Sequence, residues 1–544
     1  MGKRSYKLKW SLLIPVLLWA ACTKTTGSNN LSSIESVGGG STDSLSDVSA
    51  VESIAPVTLS GGSATLTLNH SSDYLLIVNS TRSGSNTTVQ LSASQSVKTA
   101  KKPSALTLST ASDSVINEDN EPLLPPEEFH EFMRAMEEVL PHTETVLANS
   151  SMPSVSALQA AMSVGTVRSF KSLSSLNSIT SYETLDATLM YTSSNLYVFV
   201  DNRNLENISE ASIQSLAYDF ETIAVPTERS LFGEESDVND DGHVTILMTQ
   251  VVNHLTSTGG LITGYFFPGD LFASSSTNPA SNEQEIFYTL VPDPNGDNGV
   301  PISEPFTVNN VLPGVLAHEY QHMISYNQKV FIQGGSTEEP WLNEALSHFS
   351  EDITGFGNEN PARERIFLAN PSQISIAPNS SPTLGQRGGS YLFVRYMYEQ
   401  SSNGTAFIQN LYRTADTGTG NIQQAFGGTD SNFDEFPEFV NQWATALVLS
   451  NTGLSSDSRY NYRTRTINSQ TGNYMGVLLR GDTQDGRGTV LSGPTVQRVE
   501  SYPSSATIGS ATTQIFRLVA PSGSIQLNTG SGSSRAALVQ LTTH

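Results

Sequence analysis

Short runs of alternating apolar and polar residues mark both ends of the chain, and helical spacing takes over in the middle. Ala64 to Leu68 alternates, Tyr74 to Val78 is continuously apolar, and Val89 to Leu91 alternates again. Turn-forming Ser and Gly separate these runs, which predicts a small β unit over 51–97. Runs at Gln514–Val519 and Ala537–Leu541 predict a C-terminal β region over 452–544, either a second sandwich or a spatial partner of the first unit. Between them, Phe129, Phe132, Met133, Met136 and Leu140 share one helical face within a linker-like stretch over 98–164. Strands are predicted at Ala187–Tyr191, Leu196–Val200, Val244–Met248, Gly264–Phe267 and Glu285–Leu290. Helices are predicted over 210–223 behind a Ser209 cap, from Asn310 or Val311 onward, from Pro340 onward, and over 404–415 and 434–450. The fold class is α+β, with a mixed domain over 165–451 between two β-rich regions.

Composition narrows the setting. Lys and Arg number 28 against 52 Asp and Glu, a formal charge of −24, which argues against a nucleic-acid partner. Nothing in the sequence signals an oligomer. The single cysteine, Cys22, excludes an internal disulfide. It follows a basic start (Lys3, Arg4, Lys7, Lys9) and an apolar run from Trp10 to Ala21 that is too short to span a bilayer. This arrangement resembles a bacterial lipoprotein signal. It implies removal of residues 1–21, a lipid on Cys22 as the membrane attachment, and export to the outer membrane or cell surface. Residues 22–50, rich in Ser, Thr, Gly and Asn, read as a flexible tether.

The chemistry concentrates at His318-Glu319-Tyr320-Gln321-His322. Residues four apart stand one above the other on a helix, so His318 and His322 can bind one metal ion from the same side. Glu319 can then reach a water on that metal. H-E-x-x-H on an apolar helix is the pattern of two zinc ligands with a general base. Hydrolytic zinc takes a third protein ligand and leaves a place open. The candidate is Glu344 within Pro340–His348, with His348 one turn on as its rival. Glu338, Glu339, Glu351 and Asp352 at the ends of that helix are expected to be solvated. His130, on the helix expected to open at Pro125-Pro126, is expected to be a surface residue. The helix that carries it either packs on the neighbouring domain or covers the active site as an inhibitory segment.

Ala317–Ile324, followed by Trp341–Ser347, resembles the hyicolysin family of bacterial zinc metallopeptidases, which are gluzincins. Smaller likenesses occur at Phe232-Gly233, Asp237–Asn239, Gly264–Phe266, Ser281-Asn282 and Tyr391–Phe393. The resemblance spans roughly 165–450. It implies a gluzincin-like catalytic domain, a peptide or protein substrate, Zn2+ held by His318, His322 and Glu344, and Glu319 as acid/base. Ala345 stands where family members carry Gly, and His348 stands where some gluzincins carry an orienting carboxylate. Tyr391 is the first candidate for an oxyanion donor, on a helix placed after Gly388-Gly389, with Arg387 next. Asp237, Asn239 and Asp241 alternate as in a Ca2+ loop, but Met248 occupies the place of its closing acid, and an Asp-Gly turn explains the same residues. Two other functions fit the residues: a non-catalytic adhesin with a structural zinc, and a zinc hydrolase of non-peptide amides.

Overall fold

The computed structural model describes residues 45–80, 86–93, 115–116, 122–123, 127–144, 162–255, 261–427, 436–483, 489–521, 523–530 and 532–544. The expected signal, Cys22 and most of the tether lie outside them. All described residues belong to one compact unit, Gly40–His544. Among them no helix is long and apolar enough to cross a membrane. The architecture is mixed helix and sheet.

Four N-terminal strands come first: β1 (Val48–Val57), β2 (Ser63–Leu68), β3 (Asp73–Asn79) and β4 (Thr87–Ala93). Helix α1 (Glu127–Thr143) precedes β5 (Val167–Leu173), β6 (Tyr182–Thr192) and β7 (Leu196–Asp201). Next come α2 (Glu210–Asp219), α3 (Val225–Phe232), β8 (Val244–Met248), β9 (Gly264–Phe266) and β10 (Ile286–Thr289). The helical half holds α4 (Leu312–Tyr326), α5 (Pro340–Thr354), α6 (Asn360–Ala369), α7 (Leu384–Gln400), α8 (Gly404–Leu411), α9 (Gly418–Gly427) and α10 (Phe436–Leu449). The chain ends in β11 (Gln497–Val499), β12 (Ser504–Ile508), β13 (Thr513–Leu518), β14 (Gly523–Asn528) and β15 (Arg535–Thr543).

The two terminal β regions form one sandwich. One sheet has the order β1-β15-β3-β13-β11 and the other β12-β4-β14-β2. Strand β3 is buried throughout and its side chains alternate between two cores. Tyr74, Leu76 and Val78 fill the sandwich with Phe516, Leu518 and Ile525, while Leu75 and Ile77 face the main core with Ile515 and Val539. Arg517, fully buried on β13, joins the ends ionically through Asp73 (2.7 Å) and Asp47 (2.6 Å). β1 begins at Val48, inside the expected tether. Its register shifts at Val48/Ala50 and Val51/Ser53, and such bulges break the alternation that would have revealed the strand.

The central sheet runs β9-β10-β8-β7-β6-β5, with β8 parallel to β7 and β10 and the other pairs antiparallel. β9 is an edge strand lying against α4. An added Cβ at Gly264 would come within 2.5 Å of Val315, so glycine sets that approach. α5 starts at Pro340, as Pro at a first-turn position predicts, and stops at Gly355 in the left-handed conformation. α7 differs from expectation. It begins at Leu384, before the glycine pair, and Gly388 and Gly389 lie inside it because α6 packs there. A Cβ on Gly388 would come within 2.3 Å of the Arg363 carbonyl oxygen, and one on Gly389 within 2.5 Å of Phe367. Ser209 caps α2, which runs into a wider turn at 220–224.

Because β3 sits between β15 and β13, a chain beginning at Met162 should lose the sandwich. Limited proteolysis of that truncation should degrade residues 497–544, whereas the full chain keeps them protected.

Candidate metal centre

α4 and α5 bring the predicted residues together. The Nε2 atoms of His318 and His322 are 3.1 Å apart. The carboxylate of Glu344 reaches across from α5, with Oε2 3.4 Å from His318 Nε2 and Oε1 3.8 Å from His322 Nε2. One ligand atom from each of the three lies within 4.8 Å of the others. Glu344 is fully buried and neither of its oxygens has a hydrogen-bonding partner. A buried carboxylate is costly unless positive charge balances it. Two imidazole nitrogens and one carboxylate oxygen are a donor set that suits zinc, so the residues present fit a metal.

The charges around this set are ordered. Burial would push the Glu344 carboxyl up, but Arg387 at 3.1 Å and His318 hold it well below the usual range. Burial also opposes charge on His318, yet the Glu344 and Glu351 carboxylates outweigh it and raise its pKa to about 9. Burial takes His322 well below its ordinary value, and the charge of Arg134 adds to the effect.

Glu351 is a partner that sequence reasoning misplaced. Its Oε1 accepts from His318 Nδ1 (2.7 Å) and from His348 Nδ1 (2.8 Å). This bond leaves the Nε2 of His318 toward Glu344, the arrangement by which an outer carboxylate orients a ligand imidazole. The same carboxylate ties down His348, the rival ligand. His318, His348 and Glu351 also form a compact group, but it is already closed by those two hydrogen bonds. Glu338, Glu351 and Asp352, expected to be solvated, are 3–4% exposed. α5 is surrounded on all sides, so its acids pair instead: Glu338 with Lys329 (3.4 Å) and Asp352 with Arg395 (2.6 Å).

Glu319 faces the cleft next to β9. The Phe266 backbone N–H donates to its Oε2 at 2.9 Å, and burial raises its pKa. Val311, Val315, Phe356 and Ile262 give the cleft apolar lining, and Arg363 and Arg387 line it as well. The Nε and Nη1 atoms of Arg363 are buried without hydrogen-bonding partners. His130, expected at the surface, lines this cleft.

Tyr391 is not brought to the site. It is buried in a separate cavity with Asp352, Asn360 and Glu364. On the same helix it is Arg387, one turn earlier, that reaches Glu344 and the cleft. Arg134 was not singled out in the sequence at all. Its contact with His322 spans 188 positions, and its only local sign was a lone cation on an acidic amphipathic helix.

Asp237, Asn239 and Asp241 fold on themselves. Asp237 Oδ1 accepts the backbone N–H groups of Asp241 (3.0 Å) and Gly242 (3.1 Å), and the Asn239 amide donates to Asp241 Oδ2 (3.0 Å). The loop forms the turn leading into β8. Asp237 and Asp241 belong to neither group of ligand side chains found among the described residues.

Over 230 residues the chain is 31% identical to a neutral metalloprotease, ShpI, of Staphylococcus hyicus. The match covers 41% of this chain and 49% of that protein, so the chain spans about half the length of the relative it matches. No family model matches the chain. The sequence is thus related to a metalloprotease, and its helical half carries a His and Glu cluster able to hold a metal.

Proposed function

We propose that the protein is a zinc-dependent endopeptidase of the hyicolysin, gluzincin type. The observation that carries this reading is the convergence of His318, His322 and the hydrogen-bond-free carboxylate of Glu344 beside Glu319. In it, those three residues hold the ion, Glu351 orients His318, and residues 165–451 form the catalytic portion. Residues 1–21 are the export signal, and a lipid on Cys22 anchors the chain at the cell surface.

Zinc, when bound, supplies Lewis acidity and lowers the pKa of a coordinated water toward about 7. The residues of the chain do the rest. Glu319, made more basic by burial and held through Oε2 by the Phe266 N–H, accepts the proton of the attacking water. Its carboxyl then returns that proton to the leaving amine. Arg387 places fixed positive charge in the cleft for the oxyanion that develops on the scissile carbonyl. β9, an edge strand, offers backbone groups to an extended peptide.

Glu319→Gln should retain stoichiometric zinc while casein hydrolysis falls by roughly 10²–10⁴-fold, the usual worth of a general base. Glu344→Ala should lose the metal. Zinc analysis and a casein assay on the same preparations check both, and a fully active Glu319→Gln would remove the assignment. Glu351→Ala should weaken zinc binding by roughly 10–100-fold, as loss of an orienting carboxylate does, measured by chelator competition.

The pH dependence has a definite sign. With a pKa of about 9, His318 carries a proton at neutral pH in the metal-free chain, and zinc must displace it. Affinity should therefore rise about tenfold per pH unit toward pH 9 and level off above it. Calorimetry in buffers of different ionisation heat should find close to one proton released per zinc at neutral pH.

A further inference from the structure

Helix α1 lies over the metal centre. Phe129 and Met133 are buried in the main core, and the Phe129 ring meets Tyr265 of β9 edge-on at 5.3 Å. Arg134, 7% exposed, points at the ligands. Its Nη1 is 3.0 Å from His322 Nδ1 and 2.8 Å from Glu137, and its Nε is 3.8 Å from Glu344 Oε1. Glu137, itself buried, accepts from the Asn343 amide at 3.2 Å. Two residues of α1 thus engage α4 and α5 at the point where the three ligands meet.

The chemistry of this contact opposes a metal. A guanidinium has donors only, so its contact with His322 Nδ1 requires that nitrogen to accept. A metal held at Nε2 requires the proton on Nδ1 instead, where Asn343 Oδ1, 3.3 Å away, receives it. Arg134 also sets a fixed positive charge beside the carboxylate that a divalent cation would use.

Resting on the zinc reading above, we infer that α1 is an intramolecular antagonist of the metal site, in which Arg134 occupies the electrostatic place of the cation and the helix covers the cleft beside β9. The topology states what kind of antagonist it is. The strands before α1 are woven into the C-terminal sandwich, with β3 between β15 and β13. The N-terminal part is therefore no detachable piece. α1 departs while the sandwich stays, and a cut between α1 and β5 releases one of its two connections.

The test uses the full chain. Zinc affinity is measured by competition with a fluorescent chelator, and casein hydrolysis is measured in parallel, for wild type and Arg134→Ala. A third sample is wild type carrying a site for a sequence-specific protease placed between residues 146 and 160, assayed before and after cutting. Arg134→Ala should bind zinc about tenfold more tightly and hydrolyse casein faster. Cutting should raise both quantities in a chain that retains Arg134. Unchanged affinity and rate in both samples would overturn the role of α1 and leave the peptidase assignment standing. Weaker zinc binding by Arg134→Ala, with no gain on cutting, would make Arg134 a support of the site and overturn the inference. Failure of every form to bind zinc would remove the zinc reading and this inference with it.

Discussion

The structure depends on burying one carboxylate, Glu344, against two imidazoles. Removing such a charge from water costs about several kcal/mol even after relaxation, and neither oxygen recovers a hydrogen bond. Only positive charge offsets that cost. Arg387 supplies part of it from another helix, and the rest falls to Arg134 or to a divalent cation. α5 buries its own apolar side chains Trp341, Leu342, Leu346 and Phe349 completely. That packing holds the helix in place against the cost of desolvating its carboxylate.

The orienting contacts follow the same logic. Glu351 fixes His318 through Nδ1, Phe266 fixes Glu319 through its backbone N–H, and Asn343 stands by His322. Each reactive group is held by an element different from its own or by a neighbouring turn. The sandwich lies on the other side of this core, reached through β3 and α10, where the Asn79 amide donates to Asn441 at 2.8 Å. Its part is to join the two chain ends.

Local patterns made the centre legible in the sequence; long-range contacts did not show. His318, Glu319 and His322 follow from helical spacing alone, and Pro340 marks the start of α5 because a first-turn proline gives up no hydrogen bond. Glu344 needed the likeness to known metallopeptidases. Arg387 and Tyr391 lie one turn apart on one face of α7, so spacing selects that face but not the level along the axis. The ~6 Å between the two levels separates the cleft from a different cavity. Glu351 looked solvated because a helix end is polar by default, and of its two partners the one that matters to the site, His318, lies 33 residues away. The sandwich strands were visible as runs, but pairing across more than 400 positions, as between β3 and β15, leaves no local mark.

The most direct measurement is X-ray absorption spectroscopy of the zinc-loaded full chain. Ligation by His318, His322 and Glu344 predicts two imidazole nitrogens at about 2.0–2.1 Å and oxygen ligands at about 2.0–2.2 Å, with no sulfur. A first shell of three imidazoles would move the third ligand to His348, and a shell without an imidazole pair would contradict the account altogether.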